Sequence, residues 1–380
     1  MTGNIPSEIG FLTSFAMLDL SFHYLTGTIP SNVGEMINLQ DVRLNYNALS
    51  GSIPNQIGAW TDLRSIYLDH NWLSGPLSSD FGNWTKLGYL SFEYNVLTGS
   101  IPTEFGLMMR LVRMNLDKNA LTGNIPSEIG GLIGLKGLAL SQNALTGSIP
   151  SEIGRLTSLH YLGFGDNDLE GSIPSEIGNL KSLFYLVLDS NELTGSIPCE
   201  IGYICNSTSI LLSKNTLTGI IPSEIGLLTR LERLEFASNL LTGTIPSEIG
   251  GLMSLAGLAF SENSLTGNIP FEIGELVNLL YMSLVDNALT GSIPSDIGDL
   301  VDLEYLDLAS NRLTGSIPSE IGNLQSLTIL DLRYNLLTGS VPSELALLTS
   351  VQCLHILEGN NFVSIPDKVE EMLCNRDLQS

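Results

Sequence analysis

Apolar positions in this chain recur with a period of 24 residues. In the copy that begins at Leu183, Leu186 and Leu188 flank one outward-facing residue, which predicts a short, half-buried strand. An asparagine, a Leu-Thr-Gly step and an Ile-Pro pair ending at Pro198 follow that strand. A fixed period of this length predicts one small unit stacked many times, not a globule with a single site.

Asparagine and glycine occupy fixed columns of the repeat. Asparagine recurs in 13 consecutive copies from Asn47 to Asn335, and we expect its side chain to bond the backbone of its own and the next coil. The strand is predicted about five to two residues before this asparagine. Glycine fills another column from Gly27 to Gly339, where we expect a neighbouring backbone to approach too closely for a Cβ atom.

The consensus Leu-x-x-Leu-x-Leu-x-x-Asn-x-Leu-Thr-Gly-x-Ile-Pro resembles the plant-type leucine-rich repeat. Proteins of this type include ectodomains of receptor-like kinases and receptor-like proteins, and polygalacturonase-inhibitor-like proteins. The resemblance implies an α/β repeat solenoid, a right-handed superhelix with a parallel β-sheet on its concave face. It also implies an extracellular or cell-surface location. We expect residues 1–350 to form the solenoid, and residues 351–380 the last degenerate repeat with a C-terminal cap.

The chain carries 40 acidic and 16 basic residues, for a net charge of −24. This balance argues against nucleic acid and against an anionic membrane surface, because both attract clustered Lys and Arg. Much of the acid forms one column from Glu8 to Glu344, which we interpret as a solvated flank. The alternative is a row that collects Ca²⁺, but one carboxylate per coil falls short of the about six to eight oxygens that Ca²⁺ takes.

The ends of the chain differ in how they are predicted to close the stack. No apolar run is long enough to insert this segment into a membrane, and no secretory signal pattern occurs in it. Met1 is in register with Leu25, in the middle of a coil, so we expect a capping segment and an export signal to precede it. Residues 367–374 are predicted to form a short amphipathic helix.

The chain has four cysteines, an even number that fits a secreted protein. By resemblance to C-terminal caps of the family, Cys353 and Cys374 are expected to join the last strand to the terminal helix. Cys199 and Cys205, six residues apart, are candidates for a local bridge. The alternative is four unpaired thiols. Sequons for N-glycosylation, at a frequency near chance, occur at Asn83 and Asn206.

No arrangement typical of an active site or a cofactor site occurs in the sequence. The histidines, at positions 23, 70, 160 and 355, lie in different coils, and none has metal-ligand spacing to Cys or Asp. Phosphate loops, kinase signatures and nucleophile elbows are also absent from the sequence. We therefore predict a non-enzymatic binding module that needs no cofactor or metal.

The coils from residue 41 to 118 carry the best candidates for ligand contact. Their variable strand positions are rich in Tyr and Arg, the types that dominate interface energetics, and their charges nearly balance. Random drift of exposed residues is the alternative. The expected partners are a protein, a peptide or a glycan, with a co-receptor as a further class. The candidate ligand-binding residues are Arg43, Tyr46, Arg64, Tyr67, Asp69, Trp72, Tyr89, Glu93, Tyr94, Arg113, Asp117 and Lys118.

Later coils are interpreted as spacer and scaffold. Small residues such as Gly137 and Gly163 predict a smooth groove with few anchors there. Residues 110–188 resemble residues 230–308 at an offset of 120, so that Arg113 corresponds to Arg233. We interpret this similarity as the copying of a block of coils, which says nothing of function.

Two other functions stay open. A threonine column that includes Thr26 recurs once per coil, and flat Thr/Ser ladders are used by ice-binding solenoids. Pro76, Glu170 and Ile220 interrupt that ladder. A structural or adhesive cell-wall protein is the remaining alternative.

Overall fold

The computed structural model describes residues 1–352 and 354–374. The chain divides into two compact units, Met1–Leu193 and Thr194–Ser380, which we call the N-terminal unit and the C-terminal unit. Each is built from coils of one short strand, a turn, a second extended segment and a five-residue 3-10 helix. The predicted repeat solenoid with parallel strands is confirmed in both.

The first strand of each coil pairs in parallel with the corresponding strand of the next coil, as Asp41 pairs with Ser65. We call these strands the main sheet of each unit. In the N-terminal unit they are Met17–Asp19, Asp41–Arg43, Ser65–Tyr67, Tyr89–Ser91, Arg113–Asn115, Gly137–Ala139, Tyr161–Gly163 and Tyr185–Val187. In the C-terminal unit they are Ser209–Leu211, Arg233–Glu235, Gly257–Ala259, Tyr281–Ser283, Tyr305–Asp307, Ile329–Asp331 and Leu354–His355.

A second row of strands lies at the Leu-Thr-Gly step. In the N-terminal unit its strands are Thr2–Asn4, Tyr24–Thr28, Ala48–Ser52, Trp72–Pro76, Val96–Gly99, Ala120–Asn124, Ala144–Ser148 and Asp168–Ser172. The strand Glu192–Thr194 contains the boundary between the units. In the C-terminal unit the strands are Thr266–Gly267, Ala288–Leu289, Thr338–Ser340 and Asn361–Ser364.

A 3-10 helix follows the Ile-Pro position of each coil, where proline fixes φ at a value that suits the residue before the helix. Ser78 replaces the proline before one helix, and its side chain accepts from the Asp80 N–H. In the N-terminal unit these helices are Ser7–Phe11, Ser31–Glu35, Asn55–Ala59, Ser79–Asn83, Thr103–Leu107, Ser127–Gly131, Ser151–Arg155 and Ser175–Asn179. In the C-terminal unit they are Cys199–Tyr203, Ser223–Leu227, Ser247–Gly251, Phe271–Glu275, Ser295–Asp299, Ser319–Asn323 and Ser343–Leu347. None of the described helices is long and apolar enough to cross a membrane.

The asparagine column points inward, as predicted, but its second partner is the preceding coil and not the next one. The Asn191 amide nitrogen donates to the carbonyls of Phe164 and Leu188 at 3.0 and 3.2 Å. Its Oδ1 accepts from the backbone N–H of Leu169 at 3.0 Å. One side chain therefore satisfies backbone groups of its own coil and of the coil before it, in an interior where Leu186 is fully buried.

The main strands end earlier than predicted. Tyr185–Val187 spans six to four residues before Asn191, whereas the prediction was about five to two. The residue directly before the asparagine has a positive φ, such as 55° at Ser190. This left-handed conformation turns the chain off the sheet, so the strand cannot extend to it.

The two glycine columns have different physical causes. Gly51, in the column predicted for close approach, has a φ of 74°, which an L-residue adopts only at a cost. Close approach of backbone is clearest in the other column, where a Cβ on Gly58 would lie 2.9 Å from the carbonyl oxygen of Asp80. The prediction therefore missed the main cause in the first column.

The C-terminal end departs from the repeat. Asn360 takes the role of the column asparagine, since its Oδ1 accepts from the backbone N–H of Leu337 at 3.0 Å. The terminal α-helix, Asp367–Glu370, is shorter than the predicted 367–374, and a turn follows it. Cys374 is buried and disulfide-bonded. Its predicted partner, Cys353, lies outside the described residues.

The predicted bridge between Cys199 and Cys205 is wrong, because both thiols are free and exposed. Cys199 begins the helix Cys199–Tyr203, and Cys205 lies beyond its end.

Candidate functional site

The predicted ligand-binding residues lie on the N-terminal unit, along the main sheet and the turns after its strands. Strand register brings them side by side, since Arg43 pairs with Tyr67 and Tyr89 pairs with Arg113. Arg43 Nε lies 3.1 Å from Asp41 Oδ1, and its guanidinium lies 5.9 Å from the centre of the Tyr67 ring. The Arg43 side chain is thus already engaged within the protein.

Five consecutive coils stack their side chains in the column directly before the asparagine. The ring centres of Phe22 and Tyr46 are 4.6 Å apart, those of Tyr46 and His70 4.1 Å, and those of His70 and Tyr94 4.3 Å. The Lys118 ammonium lies 4.0 Å from the centre of the Tyr94 ring. We call these five residues the aromatic stack. All five have a positive φ, a strained backbone conformation for a residue other than glycine.

An acidic column lies one residue earlier in the same coils. Asp69 is buried, Glu93 accepts from Asn115 Nδ2 at 2.5 Å, and Asp117 accepts from the backbone N–H of Ser141 at 2.5 Å. Burial raises the pKa of Asp117 to about 6, against the lowering effect of the Ser141 amide, and the nearby charge of Glu93 raises it further. This carboxyl therefore titrates within a physiological range of pH.

Two predicted residues stand apart from these rows. Arg64 is exposed and precedes the strand Ser65–Tyr67. Trp72 is 64% exposed and lines a shallow recess of about 390 Å³ with Tyr94 and Lys118. The structure therefore distributes the predicted set over three neighbouring surfaces and does not gather it into one pocket.

A recess of about 490 Å³ opens on the main sheet, partly beyond the predicted coils. Its floor includes Gly137 and Ala139, whose small size leaves the space open. The prediction that these coils form a smooth groove with few anchors stays a prediction, and the recess has charged and aromatic side chains beside the small residues. We call this space the Arg113 recess. Its charged, imidazole and phenol side chains are those of Arg113, Asp117, Lys136, His160, Tyr161 and Tyr185.

The position of the Tyr161 ring, which forms one side of the Arg113 recess, depends on a glycine. A Cβ on Gly163 would lie 2.6 Å from the Tyr161 hydroxyl oxygen and 2.6 Å from its Cε1, so the hydroxyl end of the ring lies over residue 163. Burial raises the pKa of Tyr161, and the charges of Asp117 and Asp189 act in the same direction. The phenol is therefore held neutral as a hydrogen-bonding group.

The predicted glycosylation sites differ in access. Asn83 is exposed at the end of the helix Ser79–Asn83. Asn206 is half-buried, and its Oδ1 accepts from Arg230 Nη1 at 3.0 Å. Of the two, Asn83 is the better placed acceptor.

Comparison with known proteins identifies the family. The model "Leucine-rich repeat region" matches residues 287–380, and the model "Leucine Rich Repeat" matches residues 62–84, 158–180 and 230–252. A leucine-rich repeat protein of Leptospira interrogans is 31% identical, with a TM-score of 0.74, over 100% of this chain and 96% of the other. The chain belongs to the leucine-rich repeat family.

Other solved structures are similar as well. The plant peptide hormone receptor RGFR1, in complex with RGF2, is 36% identical with a TM-score of 0.90. The match covers 98% of this leucine-rich repeat protein but 63% of the receptor chain. A plant ice-binding protein is 32% identical with a TM-score of 0.50, over 68% of this chain and 77% of the other. No curated protein sequence matches significantly.

The duplicated coils of this leucine-rich repeat protein differ at the Arg113 recess. Arg233, the copy of Arg113, lies 2.5 Å from Glu235 in an ion pair. The position of that glutamate is Asn115 in the N-terminal unit, and Arg113 forms no ion pair with any described residue. One substitution between the copies therefore leaves an exposed guanidinium available to a ligand.

The aromatic walls of the two copies differ as well. Tyr281 and Tyr305 stack with ring centres 4.6 Å apart and planes at 15°. In the N-terminal unit the corresponding rings, Tyr161 and Tyr185, are 6.2 Å apart at 50°. Ser283 stands where the first copy has Gly163, so the Tyr161 position over residue 163 is particular to the N-terminal unit.

Comparison of the two copies in the sequence carried a signal for this recess. The resemblance between the copies at an offset of 120 is visible in the sequence. The site is marked by the residues that differ between the copies, not by those that are identical. The exchanges of Asn115 for Glu235 and of Gly163 for Ser283 change charge and volume on strands that share a register. His160 and Lys136 precede their strands, outside the positions considered as contacts.

Proposed function

We propose that this protein is a non-enzymatic recognition domain that binds an extended peptide or protein segment on the main sheet of its N-terminal unit. The observation that carries the proposal is the unpaired Arg113 at an aromatic recess, where the copy of this arginine is neutralised by Glu235. Peptide recognition by RGFR1, a similar structure, supports the same class of ligand. By the same likeness, the location proposed is extracellular or at the cell surface.

The charges of the recess favour a carboxylate on the ligand. Arg113 and Lys136 are exposed basic groups in a chain whose net charge is −24. A guanidinium without an internal partner can form two parallel hydrogen bonds with a carboxylate. The pKa of Asp117 is raised to about 6, and this carboxyl repels a ligand carboxylate least when it is protonated. We expect an acidic side chain or a carboxylate terminus to lie against Arg113.

The aromatic walls favour an apolar or aromatic side chain beside that carboxylate. Tyr161 and Tyr185 are in contact with each other, at 6.2 Å between ring centres, and both line the recess, so a ligand side chain would pack against them from the solvent side. Tyrosines supply apolar area at low entropic cost. Tyr89 is 44% exposed and pairs with Arg113, so the predicted surface at residues 41–118 continues the site. A co-receptor contact or a glycan ligand would use that continuation.

The proposal is tested by selecting binders from a displayed library of random peptides on the intact protein. Recovered peptides should share an acidic residue next to an apolar one. Arg113→Ala and Tyr161→Ala should each weaken their binding about tenfold or more, as for a central contact in an interface. Arg155→Ala removes an exposed arginine of the same unit, at the end of a 3-10 helix, and should leave affinity unchanged.

Two outcomes would overturn this assignment. Recovered peptides could bind Arg113→Ala as tightly as the wild type, or lose affinity equally with Arg155→Ala. Cross-linking of the peptides to the acidic flank of the 3-10 helices would likewise place the ligand elsewhere.

Ice binding is the second candidate, because a plant ice-binding protein is structurally similar. Thr26, Thr122 and Thr146 are exposed on the second row of strands. Glu170 is exposed in the same column and breaks the regular hydroxyl surface. A thermal-hysteresis assay decides between the two, and we expect no hysteresis beyond that of an equal concentration of an unrelated protein.

A further inference from the structure

A cluster of metal-binding groups lies at the edge of the main sheet, outside the Arg113 recess. One ligand atom each of Asp69, His70 and Glu93 lie within 4.8 Å of one another. Among the described residues, no other group of three such side chains converges in this way. Linear spacing does not reveal the cluster, because Glu93 comes from the coil after that of Asp69.

The separation of two of these ligand atoms suits a shared ion. His70 Nδ1 and Asp69 Oδ2 are 3.2 Å apart. Two ligands bound tetrahedrally to Zn²⁺ at about 2.1 Å are separated by about 3.4 Å. Imidazole nitrogen with carboxylate oxygens is a donor set that suits Zn²⁺ and similar transition-metal ions, whereas Ca²⁺ takes oxygen ligands.

The histidine ring is held by its neighbours in the aromatic stack. Tyr46 and Tyr94 cover its two faces at 4.1 and 4.3 Å, with interplanar angles of 13° and 21°. Only the ring edge is left for polar contact, and Nδ1 points to Asp69. Such outer contacts fix ligand orientation in metal sites. The positive φ of His70, 55°, is common to this position of the repeat and is not specific to the site.

The two carboxylates are also oriented before any ion binds. The Asp69 side chain is 8% exposed, and buried charges in proteins are normally paired or coordinate a metal. Glu93 is held by Asn115 Nδ2 at 2.5 Å. One coil before Asp69, in the same column, Asn45 Oδ1 is buried without a hydrogen-bond partner among the described residues. The column therefore has oxygen acceptors in excess of its donors.

We propose that Asp69, His70 and Glu93 bind a divalent transition-metal ion, with Zn²⁺ as the representative ion. The site joins two adjacent coils and leaves coordination positions for water or for a ligand group. Its three ligands differ from the residues of the Arg113 recess, but Asn115 both orients Glu93 and lines that recess, so the two proposals are tested with different variants.

Calorimetric titration of Zn²⁺ into the tag-free protein tests the proposal. Cys199→Ser and Cys205→Ser are included in every sample, because these exposed thiols are an alternative source of zinc ligands. The expected result is one saturable equivalent per chain. His70→Gln and Glu93→Gln should each weaken Zn²⁺ binding about tenfold or more. His23→Gln and Asp189→Asn, which remove an imidazole and a carboxylate elsewhere in the unit, should not.

Several results would overturn the site. The parent protein could fail to bind one equivalent, a result that does not depend on how any variant folds. Circular dichroism identifies a misfolded variant. If one of His70→Gln and Glu93→Gln is misfolded, the Zn²⁺ affinity of the other tests the site. Equal affinity of the parent and of a folded His70→Gln or Glu93→Gln variant excludes these ligands. Displacement of Zn²⁺ by an equal concentration of Ca²⁺ would contradict the nitrogen ligand.

Discussion

The hydroxyl end of the Tyr161 ring lies over Gly163, where a Cβ atom would come within 2.6 Å of the hydroxyl oxygen. The two residues are the ends of one three-residue strand, so both side chains would point to the same side of the sheet. Glycine at residue 163 thus leaves the space that the Tyr161 ring occupies. The position of one wall of the Arg113 recess depends on this pair.

Gly163→Ala should displace the Tyr161 ring and destabilise the protein by about 1 kcal/mol, because an added methyl group overpacks the site. The same substitution in a Tyr161→Ala background should cost less than about 0.5 kcal/mol, since the ring is gone. Urea unfolding of the two single variants, the double variant and the wild type measures the coupling. Additive costs would show that the ring does not need the glycine.

Asp117→Asn should make the protein more stable at neutral pH. The pKa of this carboxyl rises from 3.8 to about 6 on folding, so the folded state holds the proton more tightly. Wild-type stability should therefore fall as pH rises from about 4 to about 6, and stay reduced above that. One pKa unit corresponds to about 1.4 kcal/mol, and partial exposure screens the effect, so we expect a gain of about 1–2 kcal/mol.

The measurement is urea unfolding of both proteins between pH 4 and pH 7 in EDTA, which keeps metal binding out of the comparison. The stability difference between variant and wild type should grow across the window where Asp117 ionises. Parallel pH profiles for the two proteins would show that burial does not perturb this carboxyl.

Asn191→Leu should destabilise the protein by about 1–3 kcal/mol, because it leaves buried backbone groups of Leu169 and Phe164 without partners. Ser190→Ala is the matched control. Its side chain makes only a 3.5 Å contact with Asp189, and we expect a cost within about 0.5 kcal/mol. Equal midpoints of the two variants in denaturant would contradict the role of the asparagine column.

The sequence predicted the fold well because each column repeats one physical requirement. The buried leucines and the inward asparagines were predicted and are present, as Leu186 and Asn191 show. Strand ends were less predictable, since the positive φ at Ser190 is adopted by residues as different as Tyr46 and Lys118. Nothing in the side chain at that column signals the left-handed turn.

The candidate site was harder to predict because its parts come from different coils. Arg113 and Asp117 were in the predicted set, but Gly137 and Gly163 were interpreted as the absence of a site. Small residues are compatible with either a featureless groove or a recess between larger side chains. Only the positions of the neighbouring rings distinguish the two. The cluster of Asp69 with Glu93 likewise depends on the stacking of coils.

The central claim is that a ligand binds the unpaired Arg113, and exchange of a residue between the two copies tests it most directly. Asn115→Glu introduces the partner that Arg233 has in Glu235. Because Asn115 also donates to Glu93 and accepts from the Asp117 N–H, the variant is first required to match the wild type in circular dichroism and in its urea midpoint. The reciprocal Glu235→Asn is the matched control. Calorimetry with a peptide selected on the wild type should show affinity reduced about tenfold or more in Asn115→Glu, and unchanged affinity in Glu235→Asn. Unchanged affinity in Asn115→Glu, or an equal loss in both variants, would contradict the account.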